Sequence, residues 1–268
     1  MSLGNSFETL TPAPAGSITI PAKDGFPLAA RYYGPTLHPV AVVVIASATG
    51  LHQSFYASFS RWLSTHGILV YTFDYRYFGM SFPPPYQPST FTPEERHKAL
   101  RTAPADIDIS ETKEPQREGK PLIVVGHSLG GQVMTLLEEE FPIITRFLNI
   151  CGGKSFVGNL QELCFLHTSG GGGDDDDRSC VLWKQAESSA QLAEMEKKIA
   201  KSLETDGVFR CRSLGMGYDI PYGPGRQWLE FYRHPLCVAS LPQNASTMRK
   251  VNKPYLYVGF DDDATMSK

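Results

Sequence analysis

Gly126-His127-Ser128-Leu129-Gly130 follows the apolar run Pro121 to Val125 and precedes a helix-prone stretch. A serine hydroxyl is a poor nucleophile unless a sharp strand-to-helix turn exposes it, where a base can reach it and backbone N–H groups can meet a developing oxyanion. Glycines two residues before and two after such a serine let strand and helix pass closely at that turn. The β-branched run Leu122 to Val125 predicts the strand, and Gln132 to Glu140 the helix. Ser128 is therefore the candidate nucleophile of an acyl-transfer reaction.

That chemistry needs further groups. One oxyanion donor is the N–H of the residue after the nucleophile, Leu129, and the second comes from the loop after an earlier strand. The loop reads Ser47-Ala48-Thr49-Gly50, and its small residues point to Ala48 as the donor. On an elbow of this kind the acid and the histidine follow the serine in that order. Asp261, Asp262 and Asp263 sit behind the late strand Tyr255 to Gly259, and Asp263, last before an Ala-Thr turn, is the choice for the acid. Its role would be to fix the tautomer of the histidine and stabilise the imidazolium. No histidine follows Asp263. Of the upstream seven, His127 points away from its neighbour's hydroxyl, and His52, His167 and His234 could approach the site. His38, His66 and His97 fall in remote loop or helix contexts.

The elements that must position these residues alternate along the chain. Ser17 to Pro21 and Pro27 to Tyr33 flank Asp24-Gly25 as a hairpin. Val40 to Ala46 reads as a strand buried on both faces, Phe55 to Leu63 as an amphipathic helix closed by Gly67, and Ile68 to Phe73 as the next strand. A helix is predicted to open at Thr92-Pro93-Glu94-Glu95, and Ile143 to Ile150 is a further buried strand. Such alternation builds an α/β fold, a mostly parallel sheet with helices on both faces and its ligand site at the carboxyl ends of the strands. Residues 1–150 then form the N-terminal part of the core. Residues 151–250 form a cap insertion with the low-complexity loop Gly170 to Asp177 and a helix over Gln185 to Leu203. Residues 251–268 bring the acid-bearing strand, with the core incomplete after it.

Bulk properties narrow the class. With 25 basic and 28 acidic residues among 268, the net charge is −3, which gives no basic surface for nucleic acid. No apolar run approaches the length of a membrane span, and Met1 to Gly16 lacks the pattern of a secretory signal. The five cysteines are odd in number, without a Cys-x-x-Cys pair, and suggest reduced thiols in a cytoplasmic protein rather than a disulfide framework or zinc site. The aspartate run lacks the spacing of a calcium loop. No cofactor and no metal are expected, and the partner is a small acyl substrate.

Several blocks carry a family resemblance: Ala48-Thr49-Gly50 with Phe55-Tyr56; Thr72 to Arg76 with Gly79 and Ser81; Gly126 to Gln132; Leu214 to Gly217 with Asp219, Pro221, Gln227-Trp228 and His234-Pro235; and Pro254 to Asp263. In this order they resemble the α/β hydrolases of the serine-aminopeptidase-like type, over most of residues 17–150 and 210–263. The resemblance implies the α/β-hydrolase fold with a cap and an esterase-like serine hydrolase. It also implies a helix, a strand and a histidine-bearing loop beyond the acid, so the chain reads as a C-terminally truncated member. The alternatives are a catalytically impaired, hydrolase-derived binding protein and a truncated product.

Overall fold

Parallel strands covered on both faces have no solvent side, and Ala-Val-Val-Val-Ile-Ala at residues 41–46 is buried at every position. Burying one such valine or isoleucine contributes about 1.5–3 kcal/mol, which makes this strand the centre of the sheet energetically as well as spatially. The computed structural model describes residues 14–22, 24–81, 119–138, 141–152, 163–166, 189–215, 217–233 and 237–259. The predicted helix opening at Thr92 and the three aspartates at 261–263 lie outside them.

In chain order the elements are β1 (Ala15–Pro21), β2 (Pro27–Tyr33), β3 (Ala41–Ala46), α1 (Ala57–Ser64), β4 (Ile68–Phe73), β5 (Leu122–His127), α2 (Leu129–Val133), β6 (Arg146–Ile150) and β7 (Leu163–Leu166). They continue with α3 (Ser189–Asp206), β8 (Val208–Phe209), β9 (Ile220–Pro221), α4 (Tyr222–Tyr232), α5 (Pro242–Met248) and β10 (Tyr255–Val258). Among the described residues, eight strands form one sheet in the order β1-β2-β4-β3-β5-β6-β10-β7. The hairpin β1–β2 pairs antiparallel within itself and with β4, and every other neighbouring pair is parallel.

β7 lies inside the 151–250 stretch read as cap, yet it pairs with β10 at the edge of the main sheet. The elbow helix is also shorter than its propensity predicts. After Val133 the chain tightens into a 3₁₀ turn over Met134–Leu136, where the Thr135 hydroxyl donates to the Gln132 carbonyl at 2.6 Å. Such a bond offers the backbone an alternative to continued helix.

The main core fills the space between sheet and elbow helix, with Val42, Val44, Val124, Met134 and Phe147 among its buried members. A second core lies within the 151–250 stretch: Ile199 and Leu203 of α3 pack with Phe209, Ile220 and Leu229. Phe78, from the segment after β4, joins this second cluster. Among the described residues, no helix is long and apolar enough to cross a membrane.

Candidate active site

Ser128 sits at φ 52° and ψ −116°, a conformation that glycine adopts freely and other residues rarely. Its N–H donates to the Ile150 carbonyl at 2.9 Å, and its own carbonyl accepts the Gly131 N–H at 2.9 Å. A β-carbon on Gly126 would meet the backbone of Gly130 and Gly131 at 2.5 Å, and one on Gly130 would overlap the Ala46 carbonyl. Both glycines are thus required by close approach, and together they hold the turn in its strained form.

Register places the rest of the site. Ala46 pairs with Gly126, so the loop after β3 begins beside the elbow. His127 pairs with Ile150, which pairs with Val258. The carboxyl ends of β5, β6 and β10 are therefore level, and the chain leaves β10 two strand spacings, or about 10 Å, from the elbow. Asp263 itself lies outside the described residues, as do Asp261 and Asp262.

Leu129 is the first residue of α2, a position whose N–H has no acceptor within its own helix. Ala48 is buried on the facing loop, but its N–H donates to the Tyr56 hydroxyl at 2.8 Å. The same hydroxyl lies 3.0 Å from His127 Nδ1. Burial pushes the Tyr56 phenol up to about 12, so it remains a neutral hydrogen-bonding group. The next N–H along the loop, that of Thr49, has no acceptor among the described residues. Tyr56 thus ties the loop after β3 to the elbow.

Asp74 fixes the other end of that loop. Its carboxylate accepts the Gln53 N–H at 2.7 Å, the Gln53 side-chain amide at 3.0 Å and the Met80 N–H at 2.9 Å. Arg76, two residues on, forks onto Asp24 at 2.6 and 2.8 Å and anchors the β1–β2 turn. Behind the elbow, Asn149 accepts the Gly152 N–H at 2.8 Å and donates to the Tyr255 hydroxyl at 2.7 Å. Gly131 and Gly152 both lie so close to this amide that a β-carbon on either would collide with it.

Four of the seven histidines are described, and none of them hydrogen-bonds to Ser128 Oγ. His52 stacks on Tyr218 of the cap with centroids 3.9 Å apart and meets Phe78 edge-on at 4.6 Å. Burial lowers its pKa; Asp74 opposes that shift and Arg212 adds to it. Arg212 lies 4.6 Å over the other ring of the stack, Tyr218, whose N–H donates to the Gly50 carbonyl at 2.7 Å. His66 packs on Trp62 with its Nδ1 2.9 Å from the Trp62 carbonyl, and His38 sits in the loop before β3 at φ 53°. His97, His167 and His234 lie outside the described residues.

Between the loop after β3 and α4 opens a cleft. It is lined by Ala48, Thr49 and Leu129 on one side and by Gln227, Trp228 and Phe231 of α4 on the other. Its lining is mostly apolar with a few polar side chains, the usual make-up of a small-molecule cleft.

Residues 37–146 match the family described as serine aminopeptidase, S33. Human monoglyceride lipase is 29% identical over 119 residues, which is 44% of this chain and 37% of that protein. The chain thus matches little more than a third of the length of this curated relative. Among solved structures, DcsB in complex with its substrate analogue superposes with a TM-score of 0.54 at 14% identity, covering 95% of this chain and 83% of that one. A lipase in its open form superposes at 0.50 and 16% identity, covering 92% and 80%. At these identities the two structures speak for the fold.

Proposed function

We infer, from the chain's membership of the α/β hydrolases and from the geometry at its elbow, that it is a serine hydrolase acting on esters or related acyl compounds. The observation that carries this reading is the strained backbone of Ser128, held between two glycines that contact cannot spare. A structural serine has no physical need of that conformation, whereas a nucleophile gains exposure from it.

In the proposed reaction Ser128 Oγ attacks the substrate carbonyl and loses its proton to a general base. The Leu129 N–H receives the developing oxyanion from one side. On the other side Ala48 has committed its N–H to Tyr56, which leaves the Thr49 N–H as the loop's donor. Each such donor contributes about 3 kcal/mol to the transition state. Asp263 is the candidate acid, supported by the level ends of β5 and β10, and would orient the imidazole that accepts the proton. None of the described histidines is assigned that part.

A fluorophosphonate probe tests the reading. Labelling of the wild type that disappears in Ser128→Ala supports an activated serine, and folded wild-type protein that takes up no label refutes it. A binding protein on a hydrolase scaffold is the alternative reading. Ligand-induced thermal stabilisation without product would select that one.

A further inference from the structure

α1 turns its serines inward and its aromatic side chains outward. The two residues it buries are Ser60 and Ser64, and Ser60 Oγ has no hydrogen-bond partner among the described residues, while Phe59 and Trp62 face solvent. Phe55, Phe59, Trp62 and His66 recur at spacings of four, three and four, and so form one stripe. Phe55 is 62% and Trp62 58% exposed; Phe59 and Trp62 stack with centroids 6.1 Å apart, and Trp62 meets His66 at 4.7 Å. The stripe starts beside the elbow, where the Phe55 ring lies 6.2 Å from that of His127. Past its other end Val40, whose N–H donates to the Gly67 carbonyl, is exposed, as is Leu37 in the same loop. Five of the seven large apolar side chains exposed among the described residues thus gather on and beside α1. Half-buried Ile123, Leu148 and Ile150 carry the apolar surface on to β5 and β6. Scattered exposed apolar residues need no explanation, but a contiguous set marks an interaction surface.

The charge around this patch has one sign. Arg61 lies on α1 itself, Arg31 is on the face of β2 that Tyr33 shares, and Arg146 opens β6 on the face of Leu148 and Ile150. All three are exposed, and none has a carboxylate partner among the described residues, whereas Arg76, Arg210, Arg226 and Arg233 each hold one. Neither α1 nor any strand of the eight-stranded sheet carries an aspartate or glutamate. We propose that this face docks on an anionic lipid surface, with the aromatic stripe entering the headgroup layer and the three arginines meeting lipid phosphates. Tryptophan and phenylalanine on one side of a helix partition into the boundary between headgroups and acyl chains. Each arginine close to a negatively charged leaflet strengthens such binding about fivefold. A second copy of the chain is a poor occupant, because a two-fold pairing would lay this face on itself and set arginine against arginine. Since the stripe begins at Phe55, docking brings the elbow to the edge of the contact.

Co-sedimentation with vesicles tests the docking. The chain should pellet with vesicles of equimolar phosphatidylcholine and phosphatidylglycerol, and far less with phosphatidylcholine alone or at high salt. Phe59→Ser and Trp62→Ser together should weaken binding by about tenfold or more, and Arg31→Glu and Arg146→Glu together should remove the preference for the anionic vesicles. All four side chains are exposed, so both double variants should melt as the wild type does. Docking needs no nucleophile, and Ser128→Ala should bind as the wild type does, so a failure of fluorophosphonate labelling leaves this result standing. Absence of pelleting with the anionic vesicles, or binding that both double variants retain, overturns the proposal. A dimer in sedimentation equilibrium that the serine pair dissociates overturns it too, because the face would then belong to a second copy.

Discussion

Replacing Ser128 by glycine should make the protein more stable while destroying its nucleophile. At φ 52° and ψ −116° a serine occupies backbone space that costs about 1–3 kcal/mol for a residue with a β-carbon. Glycine removes that strain but loses more freedom on folding, which returns about 0.5–1 kcal/mol. The net gain is about 0.5–2 kcal/mol relative to Ser128→Ala, which keeps the β-carbon and lacks the hydroxyl. For a chain of this size that corresponds to a rise in Tm of about 1–4 °C. Differential scanning calorimetry of the two variants reads the difference directly, because neither carries the nucleophile and neither should take fluorophosphonate. A glycine variant that melts at or below the alanine variant would refute the claim that the elbow stores strain.

Tyr56→Phe should leave the buried Ala48 N–H without its acceptor and cost about 1–3 kcal/mol in urea unfolding; it should also slow labelling of Ser128, and an unchanged midpoint would count against the tie. Because the folded pKa of His52 is held below its ordinary value near 6.5, the unfolded chain takes up that proton first. Stability should therefore fall as pH drops below about 6.5 and level off once the folded form also protonates, and His52→Gln should flatten that part of the profile. Parallel profiles for the two proteins would show that His52 does not contribute.

The elbow was legible because its chemistry is local: five residues, an apolar run before them and the glycines that contact requires. β1 to β6 and β10 were legible for a similar reason, since continuous apolar runs and turn residues announce them, with ends displaced by a few residues. β7 was not, because a four-residue strand between stretches of weak pattern carries no periodicity. The roles of Tyr56 and His52 were hidden because each meets a residue remote in sequence. Tyr56 reads as one more apolar helix residue until its hydroxyl is seen between Ala48 and His127. His52 could approach the site or serve in packing as far as the chain alone tells, and its ring stacks on Tyr218, 166 residues away. Ala48 was singled out for its small side chain, but nothing along the chain says whose oxygen its N–H will meet.

The amide of Asn149 has a consequence for how this sequence can change. It touches Gly131 and Gly152 where neither can grow a side chain, and it is bonded to the Tyr255 hydroxyl, 106 residues away. Four positions, on the elbow helix, on β6, just after β6 and on β10, are thereby bound into one evolutionary unit. A larger residue at either glycine demands a smaller one at 149, and that in turn takes from the tyrosine hydroxyl its donor, leaving only its own bond to the Gly131 carbonyl. Homologues should therefore keep or exchange the four together, and Asn149→Ala should relax the requirement for glycine at 131 and 152.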